Sequence, residues 1–302
     1  MSYIFEALQR AEAERSGGSL PKDADSVAEL LQQVEQEIDR KQALSELPAP
    51  PKAEVAPVPV SGTLGSPKIL LPALPTDARL VCLTDQGGLA AEKFRVLGLK
   101  LRTMREQRRL KRIAITSSIP AEGKSLIAAN LALNQSRSKI LHTVLIDGDL
   151  RRPELGRRFG FNRNLPGLSE VLRGERTLAE VTYGLEGTNL RFIPAGVTPE
   201  NPIELMQSGR LQQMLEQLEA SFDWIIIDTP PIRPLADTPL WMKLADGVLL
   251  VTREGVCEKK QLERALEAID RSNMLGVVVN SCSSNDQKYY YSRYGSAVPD
   301  PE

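Results

Sequence analysis

The sequence predicts an α/β fold built on a mostly parallel sheet with helices on both faces. Three observations carry that reading. From about residue 79 onward, short apolar stretches alternate with helical ones, as a sheet wound by helices requires. The apolar stretches are continuous and show no polar alternation, which suits strands covered on both faces. Three of them run into a Gly-Lys-Ser turn or into aspartates, and ligands of such sheets gather at the carboxyl ends of the strands.

Taken in order, residues 1–15, "MSYIFEALQRAEAER", read as a short amphipathic helix with Ile4, Phe5, Leu8 and Ala11 on one stripe. So short a helix is not stable alone and needs a surface to dock on, its own domain or a partner. Residues 16–78 divide into a polar helix from Asp25 to Leu44 and a proline-rich stretch, "LPAPPKAEVAPVPVSGTLGSPKILLPALP", expected to be an extended, solvated linker. The folded domain is expected to span 79–285. Its strands are "RIAITSS", "TVLIDGD", "LRFIPAG", "DWIIIDTP", "GVLLVT" and "GVVVN". "SLIAANLALNQSR", "GRLQQMLEQLEASF" and "EKKQLERALEAIDRS" carry helical periodicity. The basic run "KLRTMREQRRLKR" reads as the solvated face of a helix, or as a face for an anionic membrane surface or a neighbouring subunit. The polar tail, 286–302, holds Tyr289, Tyr290, Tyr291 and Tyr294, four of the six tyrosines in the chain. A tail offers neither the apolar cover nor the hydroxyl partner that a tyrosine usually finds.

Composition narrows the function. A net charge of −1 over 302 residues favours no nucleic-acid partner. Cys82, Cys257 and Cys282 lie far apart and suggest neither a disulfide framework nor a zinc site, which fits a reducing cytoplasm. No apolar run approaches the ~20 residues needed to cross a bilayer, and the N-terminus carries charges where a signal peptide would be apolar. Any membrane role is therefore expected to come through a partner.

The chemistry lies at the strand ends. "SSIPAEGKSLIAANLA" places Gly123, Lys124 and Ser125 at the start of a helix directly after a strand. There, backbone N–H groups of Pro120 to Leu126 that are free to donate can meet an anion. Lys124 can reach terminal phosphates, and the Ser125 hydroxyl can join the shell of a Mg²⁺ ion. Ser118 stands where the usual phosphate-loop pattern has its first glycine, and Ala121 where many such loops have another. "VLIDGDLRRP" and "WIIIDTPP" add Asp147, Asp149 and Asp228 at strand ends beside the loop. Asp228 suits an acid that holds Mg²⁺, and Asp147 and Asp149 could face the same phosphates from one tight turn.

Together, "SSIPAEGKS", Asp147 to Arg151 in a D-x-D-x-R pattern, "IIIDTPP" and the tyrosine-rich tail resemble the bacterial tyrosine kinases that regulate capsular and extracellular polysaccharide synthesis. The resemblance runs from about Arg79 to Tyr294. It implies a P-loop NTPase fold of the deviant Walker type and an ATP- and Mg²⁺-dependent autokinase. Lys124, Asp147, Asp149 and Asp228 would be catalytic. Pro120 to Leu126 and Asn280 would bind the nucleotide, and Ser125, Asp149 and Asp228 the metal. The four tail tyrosines would be the acceptors. It also implies a transmembrane polysaccharide co-polymerase or chain-length adaptor as partner, a cognate tyrosine phosphatase, self-association, and a place at the inner face of the plasma membrane.

Ring assembly in the family uses an E-x-x-R-x-x-R pattern. Glu92 and Arg95 match it, and Gly98 replaces the second arginine. Two other classes compete with the kinase reading. A positioning ATPase of the ParA and MinD type would carry a signature lysine where Ile119 stands. A non-catalytic ATP-binding scaffold would not need all four of Lys124, Asp147, Asp149 and Asp228. A eukaryotic-type kinase is excluded, because its His-Arg-Asp loop needs a histidine followed by arginine and the single histidine, His142, precedes Thr143.

Overall fold

A computed structural model describes residues 66–161, 165–232 and 237–281. The N-terminal amphipathic helix, the polar helix and the tail tyrosines lie outside the described residues. Eight strands form one sheet: β1 (Ile69–Leu70), β2 (Arg112–Ser117), β3 (Thr143–Asp147), β4 (Tyr183–Leu185), β5 (Leu190–Ile193), β6 (Trp224–Asp228), β7 (Gly247–Arg253) and β8 (Met274–Asn280). Their order is β1-β4-β5-β3-β6-β2-β7-β8. Every neighbouring pair is parallel except β4 with β5. The mostly parallel sheet expected from the sequence is present, with helices on both faces.

Successive strand residues point to opposite faces, and the unbroken apolar strands use both. Ile113, Ile115, Leu145 and Ile226 pack with Ile127, Leu131 and other residues of helix α3 (Lys124–Gln135), and with Ala91 and Leu101 of α2 (Leu89–Gln107). Val144, Ile146, Ile225 and Ile227 face the other way. They pack with α5 (Leu168–Arg173), α8 (Arg210–Ser221) and Trp241 of α9 (Asp237–Leu244). A third cluster joins Ala114, Val248 and Leu250 to Ala265 and Ile269 at and just beyond α10 (Lys259–Ala268). From Ile127 to Gln135 every residue of α3 is buried, because α2 lies over it. Among the described residues the remaining helices are the short turns α1 (Val81–Thr84), α4 (Leu155–Arg158), α6 (Leu178–Val181) and α7 (Pro202–Met206).

Two features differ from the sequence reading. Ile69 and Leu70 pair with Gly184 and Leu185, so the sheet takes in residues upstream of the Arg79 boundary, within the expected linker. Strands of two and three residues carry no period from which they could be read. The basic run, for its part, is fastened to the protein. Arg105 pairs with Asp223 at 3.0 Å, and Arg109 and Arg112 with Glu219 at 2.6 and 2.8 Å. Lys111 Nζ donates to the Glu219 and Phe222 carbonyls at the C-terminal end of α8, an arrangement that satisfies orphan helix carbonyls.

Candidate active site

The site forms where β2, β3, β6, β7 and β8 end on one edge of the sheet. Between β2 and α3 the chain turns through Ser118 to Gly123, with φ of +66° at Ala121 and +94° at Gly123. Gly123 is needed twice over. Its φ lies in the left-handed region that favours glycine, and a Cβ there would stand 2.2 Å from Asn280 Nδ2. Ala121 takes the same region at the position where related loops have glycine.

Glu122 fixes the loop from below. Its carboxylate is buried and accepts from Ile119 N at 2.9 Å, Thr252 Oγ1 at 2.9 Å and Arg253 N at 3.3 Å. Asn280 Nδ2 donates to the Glu122 carbonyl at 2.9 Å. The loop is thus tied to the ends of β7 and β8. Among the residues assigned to nucleotide binding, Glu122 turns its side chain inward as a brace, while Pro120 and Ala121 lie exposed at the crown of the loop.

Lys124 Nζ lies 3.0 Å from Asp149 Oδ2, 3.5 Å from Asp228 Oδ1 and 3.4 Å from Ser125 Oγ. Register brings the acids together, since Asp147 of β3 sits opposite Asp228 of β6. All three aspartates are buried. Asp149 Oδ1 accepts from Arg152 N at 3.0 Å and Asp147 Oδ2 from Leu155 N at 3.0 Å. Asp147 Oδ1 and both oxygens of Asp228 have no partner in good hydrogen-bond geometry, although the Ser125 hydroxyl lies alongside Asp228. Unsatisfied buried oxygens are costly, and here they converge under a phosphate-type loop.

The electrostatics follow from burial. Desolvation, reinforced by the charge of Asp228, pushes the Asp147 carboxyl well above its ordinary pKa. Desolvation raises Asp228 too, with Lys124 working against it. Burial disfavours the Lys124 ammonium, yet Asp228 and Asp149 outweigh it and its pKa rises. A cation held among acids is the expected result.

Sequence reading missed the frame around these groups. Arg151 turns away from the loop into a two-pronged pair with buried Asp237, at 2.7 and 3.1 Å. Trp241 Nε1 donates to the Gly148 carbonyl at 3.1 Å, and a Cβ at Gly148 would stand 2.9 Å from both Asp228 O and the Trp241 ring. The glycine between the two aspartates is therefore a close-packing requirement. The D-x-D-x-R spacing hinted at Arg151, but its partner lies 86 residues away and left no local signal.

No family model matches the chain. A tyrosine-protein kinase of Bacillus subtilis, YwqD, is 34% identical over 218 residues, covering 70% of this chain and 90% of the relative. The chain belongs to the bacterial tyrosine kinases. CpsD of Streptococcus agalactiae, also a tyrosine-protein kinase, is 33% identical over 61% of the chain and 81% of its own length. Among solved structures, the chimerical protein CapA2B2 superposes with a TM-score of 0.65 at 29% identity, covering 74% of this chain and 98% of that one. The kinase domain of Escherichia coli ETK gives 0.62 at 26% identity, covering 68% and 82%. The fold is accordingly the P-loop NTPase fold expected from the resemblance.

Proposed function

We propose that this bacterial tyrosine kinase transfers the γ-phosphoryl group of ATP to the tyrosines of its own tail, Tyr289, Tyr290, Tyr291 and Tyr294, and so regulates capsular or extracellular polysaccharide synthesis and export. The observation that carries the reading is the buried Lys124–Asp149–Asp228 cluster beneath the loop, with the unpartnered Asp147 carboxylate oxygen beside it.

Lys124 would exchange its carboxylate partners for the β- and γ-phosphates of the bound nucleotide. The donor set fits Mg²⁺, because the Ser125 hydroxyl and the carboxylates of Asp149 and Asp228 are hard oxygen ligands, and Mg²⁺ takes one or two carboxylates together with substrate phosphates and water. When bound, the ion would offset charge on the transferred group. Asp147, whose carboxylate burial makes a stronger base, is the candidate to accept the phenolic proton. The tyrosine oxygen forms a bond to the γ-phosphorus, the bond from that phosphorus to the bridging oxygen breaks, and ADP leaves with the electron pair.

Among the described residues no helix is long and apolar enough to cross a membrane. The reading also includes a transmembrane co-polymerase or chain-length adaptor that holds the kinase at the inner face of the membrane, a phosphatase that reverses the modification, and self-association, with no role for nucleic acid. Lys124→Met tests the site. Phosphotyrosine, followed by mass spectrometry after adding ATP and Mg²⁺, should fall by at least ~10³-fold in that variant, and undiminished labelling would refute the assignment.

A further inference from the structure

A cleft of about 490 Å³ opens beside the catalytic cluster, between the 147–157 segment and the loop at 194–198. Its size lies in the range that holds small ligands and single side chains. Asp147, itself buried, is among its lining residues, and Leu165, Pro194 and Ala195 give it an apolar wall. A cleft with one apolar wall, polar groups on the other and a buried carboxyl beside it suits a phenol, whose ring is apolar and whose hydroxyl is polar.

Three arginines also line the cleft, and they differ. Arg151 is committed to Asp237, and Arg157 to Glu154 at 2.9 Å with Asp77 at 3.8 Å. Arg152 is exposed. Its backbone N–H is anchored on Asp149, while its guanidinium has no ion pair among the described residues. An exposed guanidinium with no ion pair among the described residues, beside such a cleft, is suited to the planar, two-point recognition of a phosphate.

We infer that this cleft is the acceptor-peptide site and that Arg152 is its specificity-determining residue, reading a phosphotyrosine next to the tyrosine being modified. The inference rests on the kinase reading above. Its charge logic comes from the tail. The segment Lys288 to Tyr294 carries Lys288 and Arg293 and no acid, so the stretch that holds the unmodified acceptors approaches Arg152 against like charge. One phosphate brings about −1.5 to −2 charge and reverses that sign. Because three of the tyrosines are consecutive, a phosphate on one can lie at the lip while its neighbour enters the slot. The first transfer on a tail should therefore be the slow one and later transfers faster.

The test is a time course of the full chain with ATP and Mg²⁺, in which intact mass spectrometry counts tails bearing none, one, two and more phosphates. After allowing for the number of free tyrosines, the second transfer should be about fivefold faster than the first, the gain of one partly exposed ion pair. Arg152→Ala should bring that ratio to about one, and Arg152→Lys should leave it in between. A ratio near one in the unmutated chain would overturn the inference. So would an Arg152→Ala chain that keeps the acceleration, or one that instead raises the KM for ATP and slows both transfers alike, which would place the guanidinium on the nucleotide. Complete absence of phosphotyrosine from the unmutated chain would sink the kinase reading instead, so the two failures are distinguishable.

Discussion

At Ala121 a methyl-bearing residue is held at φ +66°, in a region that costs an L-residue about 1–2 kcal/mol. Glycine there would relieve the strain and lose part of the gain to unfolded-state entropy. Ala121→Gly should thus raise unfolding free energy by about 0.5–1 kcal/mol, measured by urea denaturation, and a loss of stability would show that the loop does not hold this turn in solution. Asp147 gives a second prediction, with a sign set by its pKa. Burial, then Asp228, raises its carboxyl in the folded state, so the folded protein binds that proton more tightly than the unfolded chain does. Its favourable contribution is complete below the usual carboxylate pKa and is lost as pH rises through the raised value. Asp147→Asn keeps an oxygen for Leu155 N and removes the charge. In the absence of nucleotide, calorimetry should find it more stable than the unmutated chain at neutral pH by about 1–2 kcal/mol. The advantage should vanish at low pH, and phosphotyrosine formation should be lost. An advantage that grows as pH falls would contradict the burial argument. Asp147, Asp149 and Asp228 were legible because they sit at or just past the end of an apolar strand, and Lys124 because it opens the helix that follows one. Glu122 as a brace, Asp237 and Trp241 were not, because what they do depends on contacts made across the fold.

At the level of elements, the strands that were read are those with enough apolar residues to show a pattern, and the two that were missed have two and three residues. Helix α2 is half visible. The basic run that starts on it and continues into β2 suggested a solvated face or a face for a membrane or a subunit, whereas Arg105 of α2 pairs with Asp223, and Arg109, Lys111 and Arg112 beyond it are held by Glu219 and the end of α8. The same helix explains the departure at Gly98. Position 98 is buried against α3, its carbonyl accepting from Gln135 Nε2 at 3.3 Å, and a Cβ there would stand 2.4 Å from Asn134 Nδ2. Arg95, by contrast, is outward and paired with Glu92 and the Gln86 carbonyl. An arginine at 98 would have to force the two helices apart. Replacing helical glycine gains up to ~1 kcal/mol in propensity, but overpacking costs about 1–3 kcal/mol, so Gly98→Arg should lower thermal stability by several degrees. An unchanged or raised melting temperature would mean that α2 can move off α3 at little cost.

For the molecule as a whole, the question is where the tail tyrosines meet the site. Strand β8 ends at Asn280, whose side chain touches the phosphate loop through Glu122, so the chain leaves the sheet at the loop itself. Tyr289 follows nine residues later, and at no more than ~3.5 Å each these span roughly 30 Å. Reach therefore permits attack within one molecule. Direction opposes it, because β8 runs parallel to β7 and β2 and carries the chain outward past the edge on which nucleotide would lie. To offer a phenol to Asp147, on the far side of β2 and β6 in the sheet order, the chain must reverse and cross the site. A tail arriving from another molecule needs no reversal, and alignment of donor and acceptor supplies most of the catalysis available to such a reaction. We therefore expect transfer between molecules. A Lys124→Met chain with an intact tail, mixed with an active chain whose four tail tyrosines are phenylalanine, should acquire phosphotyrosine at a rate that rises with the concentration of the active chain. If the Lys124→Met chain stays unlabelled while the unmutated protein labels at a rate independent of concentration, the tail does turn back on its own site, and the directional argument from β8 is wrong.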